Sequence, residues 1–186
     1  MSDVTPPLPD YVTWPTFPLE GDMRMKVPPP FRDTDRVRSG EPGGSPCESC
    51  DPTDEGYAWA NVRWRVRATR PTALPMQLFL QTREHIDMDG LDEDMAGELG
   101  RLVVRLDRAI QSIGGVGRVH VSRWGDGGSH FHLWFMARPL GARHMLGTFL
   151  PLWADALPPT PDDVWQANLA VVAAELAKVD GHDLTP

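Results

Sequence analysis

The stretch that constrains this chain most runs from residue 115 to 138, where two β-like runs flank the turn Gly125-Asp126-Gly127-Gly128. The second run opens Ser129-His130-Phe131-His132. Side chains alternate across a strand, so His130, His132, Trp134 and Met136 share one face, while Phe131, Leu133 and Phe135 share the other and read as core. Antiparallel pairing of the two runs through the glycine-rich turn is the simplest arrangement. Two imidazoles one strand pitch apart, beside a flexible turn, can face one pocket. The same pattern also describes a strand with two partly exposed histidines.

The segments before and after this stretch suggest an α+β chain. Residues 57–69 alternate as one strand, with Arg63, Arg65 and Arg67 on an outward, solvated face. Residues 76–82 form a second strand, ending at Arg83-Glu84-His85. Met95, Leu99, Leu102, Leu106, Ile110 and Ile113 recur at spacings of three and four and predict a helix over 92–113. Acidic Asp92, Glu93 and Asp94 suit its first turn, and Gly114-Gly115 end it. Residues 140–153 allow either a short helix or a packed loop. A final helix spans 161–179, with Thr160 as N-cap, Pro161 at the first helical position and Trp165, Leu169, Val172, Leu176 and Val179 as its apolar stripe. No internal repeat is visible.

Composition narrows the function. The net charge of −8 argues against nucleic-acid binding through phosphates. No apolar run approaches the roughly 18 residues of a membrane span. The N-terminus lacks the basic start and apolar core of a signal peptide, so a cytoplasmic protein is expected. The 19 prolines are concentrated towards the start, and residues 1–46 read as a Pro-rich arm. It is either a disordered leader or, given Tyr11, Trp14, Phe17, Leu19 and Met23, an arm that wraps the core or covers a partner subunit. The two cysteines, Cys47 and Cys50, sit between Pro46 and Pro52, in loop rather than redox-helix chemistry. They are either unpaired surface thiols or half of a zinc site completed by two of the six histidines.

Residues 47–140 resemble the histidine-triad (HIT) superfamily, which includes the galactose-1-phosphate uridylyltransferases. The family strand reads His-φ-His-φ-His-φ-φ, often with an arginine four residues after the third histidine. Here His130, His132 and Arg138 match, and Trp134 stands where the third histidine is expected. The uridylyltransferase branch carries Gln there. The order strand, strand, histidine, long helix, strand, glycine turn, His-φ-His strand also matches.

The resemblance implies an antiparallel HIT-like sheet with a long helix packed on it, plus a C-terminal helix. It divides the chain into the arm (1–46), a HIT-like core domain (47–140) and a C-terminal extension (141–186). From the zinc-bearing branch it implies a closed structural Zn²⁺ site of Cys47, Cys50, His85 and His130. It makes His132 the nucleophile of a nucleotidyl or phosphoryl hydrolase or transferase working through a nucleotidyl-histidine intermediate. Substrate contacts then fall to Ser129, Gly127, Gly128, Trp134, Arg123 and Arg138, with His120 and His144 as further candidates. The partner is a nucleotide or nucleotide-sugar-like small molecule, and the assembly a homodimer. The sequence departs from the pattern at Trp134, in having no Asn before the glycine turn, and in the shortness of that turn. The alternative is a zinc-stabilised domain that binds a nucleotide, a small anion or a protein partner without turnover.

Overall fold

Short-range patterning sets the helices and strands of the computed structural model, which describes residues 7–186. The long helix, α1 (Glu93–Gln111), starts where the Asp92 carboxylate accepts the Met95 N–H at 2.7 Å, and it buries Met95, Leu102, Leu106, Ala109 and Ile110. The strands are β1 (Trp59–Ala60), β2 (Trp64–Ala68), β3 (Gln77–Thr82), β4 (Val116–Ser122), β5 (His132–Pro139) and β6 (His182–Asp183). They form one antiparallel sheet in the order β4-β5-β3-β2-β1-β6. With α2 (Leu150–Ala156) and α3 (Asp162–Ala177), this is an α+β architecture.

Register gives the sheet two chemically different faces. Residues directly opposite one another on neighbouring strands point to the same side. Val66, Leu80 and Leu133 form one such row, and Ala68, Leu78 and Phe135 the next. These rows pack with α1 and α3 into the main core, which holds Trp59, Trp64, Phe131, Trp165 and Leu176. The other face carries the row Arg65–Gln81–His132 and, beside it, Arg67–Phe79–Trp134. The site lies on this second face.

Several expectations change. The strand read over 57–69 is interrupted, because the Asn61 side-chain carbonyl accepts the Arg63 and Trp64 N–H groups and turns the chain, leaving Val62 89% exposed. Arg65 is not on a solvated face; it is 3% exposed. The glycine stretch is part of a longer connection, since β5 begins only at His132, and Ser129 and Phe131 donate their N–H groups to the carbonyls of Ser39 and Ile86. Thr160 does not cap α3. Its hydroxyl donates to the Leu74 carbonyl at 2.8 Å, and Pro161 takes the N-cap position without a side-chain bond. Residues 147–156 are helical, a 3₁₀ turn leading into α2.

Of the N-terminal arm, residues 1–6 lie outside the described residues. The rest touches the body of the molecule at two places, with residues 24–37 exposed between them. Tyr11, Trp14 and Phe17 cluster on Phe149, and the Trp153 indole donates to the Thr16 carbonyl at 2.8 Å. Further on, Ser39 bridges to Gly128 as a parallel β-bridge.

Candidate metal centre and the cavity beside it

Cys47 stands at the N-cap of a single 3₁₀ turn, Glu48–Cys50, and Cys50 closes it; the exit is held from behind by Arg65. The Arg65 guanidinium donates to the carbonyls of Asp51 (2.8 Å) and Thr53 (3.0 Å) and pairs with Asp54, which also pairs with Arg83 at 2.7 Å. This explains a buried arginine, because its charge is answered by the loop it fixes. His85 follows the end of β3, and His130 precedes β5.

These segments bring four ligand atoms together, one each from Cys47, Cys50, His85 and His130, all within 4.8 Å of one another. Cys50 Sγ lies 3.2 Å from His85 Nδ1, while His130 Nδ1 lies 3.5 Å from Cys47 Sγ and 3.8 Å from Cys50 Sγ. A tetrahedral zinc with Zn–S of about 2.3 Å and Zn–N of about 2.0 Å separates sulfur from nitrogen by roughly 3.5 Å. The donor set and its spacing fit that ion.

The outer hydrogen bonds set both tautomers. His130 donates its Nε2–H to the Thr82 carbonyl at 2.8 Å, which leaves Nδ1 with a lone pair towards the sulfurs. Burial, together with the charges of His85, Arg65 and His132, holds the His130 pKa below its ordinary value against that hydrogen bond, so the ring is neutral. His85 Nε2 lies 3.3 Å from the Ser129 hydroxyl, which itself donates to the Ser39 carbonyl at 3.1 Å; His85 Nδ1 is thereby left free for Cys50. Desolvation and the neighbouring Cys47 push the Cys50 thiol up to about 11. A bound cation reverses that bias by stabilising the thiolate.

Gly40 supplies a constraint that no sequence pattern announces. Its φ is +89°, and a Cβ there would stand 2.5 Å from His85 Cε1 and 2.8 Å from Ser129 Oγ. Gly40→Ala is therefore expected to lower metal affinity about 10- to 100-fold, the usual cost of disturbing a ligand's outer contacts. Competition with a chromophoric chelator measures this, and an unchanged affinity would show that the arm does not brace His85.

His132 sits immediately beyond the centre, at the edge of a cavity of about 340 Å³ that also meets Cys47, Ser49, Gln81, Gly127 and Gly128. Its Nδ1–H donates to the His130 carbonyl at 2.9 Å, leaving Nε2 as the basic nitrogen. The N–H groups of Gly127 and Gly128 have no protein acceptor among the described residues. Trp134 lines the same cavity, packed against Phe79 with ring centroids 4.2 Å apart, but its indole nitrogen is buried and unpartnered.

The other expected contacts lie elsewhere. Ser129 is committed to His85 and Ser39, behind the metal centre. Arg123 pairs with Asp87, which Arg38 also holds at 2.6 Å. Arg138, further along β5, donates to the carbonyls of Pro139 (3.3 Å) and Ala142 (3.1 Å). His120 pairs with Met136 on the edge strand, its pKa lowered by burial and by Arg138, and His144 meets Trp153 edge to face with centroids 4.7 Å apart. Neither lines the cavity.

No protein-family model matches the chain, and no curated protein matches it. Among solved structures, a hypothetical histidine triad nucleotide-binding protein from Sulfolobus tokodaii superposes with a TM-score of 0.50 at 11% identity, covering 67% of this chain and 85% of that one. A histidine triad protein from Bradyrhizobium japonicum gives 0.51 at 18% identity, covering 63% of this chain and 90% of that one. The fold is the histidine-triad fold. In that setting the sheet face bearing His132 is the one that faces the cavity, and the main core with α1 lies behind it. Among the described residues, no helix is long and apolar enough to cross a membrane.

Proposed function

We propose that this chain is a nucleotidyl or phosphoryl hydrolase or transferase acting through a nucleotidyl-histidine intermediate on His132. The observation that carries the reading is the His132 tautomer: Nδ1–H is held by the His130 carbonyl, and Nε2 is left beside a cavity whose glycine N–H groups have no protein acceptor. The Nε2 lone pair attacks the α-phosphorus of a nucleotide. The bond from phosphorus to the bridging oxygen breaks, and its electron pair leaves with that oxygen. The Nδ1–H···O bond steadies the positive charge on the ring, while the Gly127 and Gly128 N–H groups meet the equatorial oxygens. An oxygen of water or another acceptor then attacks phosphorus, the P–N bond breaks, and the acceptor's proton passes to solvent.

The leaving group follows from Trp134, which occupies the third position of the His-φ-His pattern. An indole N–H has no acidity near neutral pH, and this one is buried. The departing oxygen therefore leaves unprotonated. This favours leaving groups that are stable anions already, such as a sugar phosphate or pyrophosphate, over an amine or an alkoxide. It agrees with a resemblance to the uridylyltransferase branch, which also lacks the third histidine.

Cys47, Cys50, His85 and His130 would hold a structural zinc; four protein ligands leave no open position for chemistry. The second reading, a zinc-stabilised domain that binds a nucleotide, a small anion or a protein partner without turnover, draws on the same buried indole. A homodimer is proposed as well, since β4 lies at a free edge of the sheet, and light scattering coupled to gel filtration tests it.

The deciding experiment is intact-mass spectrometry after incubation with nucleotides and nucleotide sugars. The expected result is a nucleotidyl adduct that disappears in His132→Ala. Binding without adduct or turnover across the panel supports the second reading.

A further inference from the structure

A phosphoryl group beside His132 needs positive charge, and neither arginine expected to supply it is there. Arg123 is paired with Asp87, and Arg138 is bonded to carbonyls further along β5. One cation does line the cavity: Arg67, in the middle of β2. It stands one row from His132, on the same sheet face, in the register Arg67–Phe79–Trp134. Its guanidinium lies over the Phe79 ring at 5.6 Å, and among the described residues it has neither an ion-pair partner nor a hydrogen-bond acceptor. The neighbouring arginines on the strand differ. Arg63 pairs with Glu98, and Arg65 is bonded to the Asp51 and Thr53 carbonyls. The one acid lining the cavity, Glu48, is exposed.

Two neutral groups accompany it. Gln81 is directly opposite His132 and only 4% exposed; its amide oxygen is buried without a partner. Its amide nitrogen donates to the Ser49 hydroxyl at 2.9 Å. Ser49 accepts that bond, and among the described residues its own proton has no protein acceptor. Ser49 also belongs to the Cys47–Cys50 turn, so the loop that carries the thiols presents a hydroxyl donor to the cavity.

Arg67 borders a second chamber as well, of about 580 Å³, where Phe79, Trp124 and Trp134 offer ring surface and Arg70 and Asp155 also line the wall. The guanidinium thus stands between the two chambers, beside the Phe79–Trp134 wall that they share. A ligand with an anionic group next to a flat ring system fits that junction, because the rings offer stacking surface and the arginine a planar fork of donors.

We infer that Arg67, with Ser49 held by Gln81, is the phosphoryl-recognition set of this chain, and that it selects a nucleoside phosphate over the bare nucleoside. The ligand class rests on the reading of the cavity as a phosphoryl site. Arg67 contacts the phosphoryl oxygens directly, and Gln81 is a positioning residue that aims Ser49.

Calorimetric titration with AMP, adenosine and pyrophosphate tests this in the purified full chain. The wild type is expected to bind AMP more tightly than adenosine. Arg67→Met keeps the stem over Phe79 and removes the charge; it is expected to weaken AMP and pyrophosphate about 10- to 100-fold, with adenosine within about twofold. Arg67→Lys restores part of the loss, and Ser49→Ala lowers AMP affinity about 3- to 10-fold at unchanged metal content. An AMP-to-adenosine ratio that is the same in Arg67→Met as in the wild type overturns the assignment. So does a wild type that binds neither AMP nor pyrophosphate. The proposed reaction fails separately: Arg67-dependent AMP binding with no adduct on His132 removes the transfer chemistry and leaves the recognition set standing.

Discussion

Stripping the zinc proposed for the Cys47, Cys50, His85 and His130 cluster is expected to collapse much of this protein's stability. Structural zinc sites of this donor type contribute on the order of 10 kcal/mol, comparable to the whole stability of a domain. Here the four side chains come from three separate places, the turn at 47–50, the segment after β3 and the segment before β5, so a bound ion would tie the arm-proximal loop to the sheet. About one zinc per chain is expected by elemental analysis. Chelation, or Cys47→Ser, should lower the thermal midpoint steeply and free the thiols for labelling. Acid should act in the same direction. The folded-state pKa of His130 lies below its unfolded value, so the unfolded chain takes up the proton first; stability is full above the ordinary histidine range and falls as pH drops through it. Protons also compete with metal for the thiolates. A metal-free preparation that melts at the same temperature as the native protein would remove the metal centre from the account.

His132→Ala is expected to abolish turnover, by a factor of about 10⁴ or more, because a covalent route without its nucleophile has no first step. The fold should survive. His132 is only half-buried at the cavity, and among the described residues its one side-chain hydrogen bond is to the carbonyl of a residue two positions away. AMP affinity should change far less than turnover, since the recognition set lies on β2 and in the 47–50 turn. Turnover persisting in His132→Ala would reassign the chemistry. Full loss of both binding and fold in that variant would make His132 structural.

Which parts were legible from residues alone follows from the range of the interactions. α1 could be read because its apolar stripe repeats within single turns and Asp92 caps it by a contact three residues away, and α3 because Trp165, Leu169, Val172 and Leu176 recur at spacings of three and four; Val179, expected on the same stripe, lies beyond the helix and is exposed. The two faces of β5 could be read because alternation is a property of one strand. The break at Asn61 was missed even so. An Asn side chain that captures two N–H groups competes locally with the strand, and the alternation of arginines masked it.

The chain's local patterns were enough to place α1, α3 and the strands on either side of the glycine turn, the thiol pair, and the face of β5 that carries His132, with His130 two residues before that strand. Pairing across the sheet decided everything that depends on neighbours distant in sequence. Arg65 became a buried brace, and Arg67 a cation unpaired among the described residues, because β2 lies beside β3 in the register that sets Arg65 opposite Gln81 and Arg67 opposite Phe79, while β3 in turn sets Gln81 opposite His132. Gly40 became part of the metal centre because the arm returns to Gly128. Periodicity says which way a side chain points from its own backbone. Which charge or ring it meets depends on hydrogen-bonded register between segments tens of residues apart, and no local pattern encodes that.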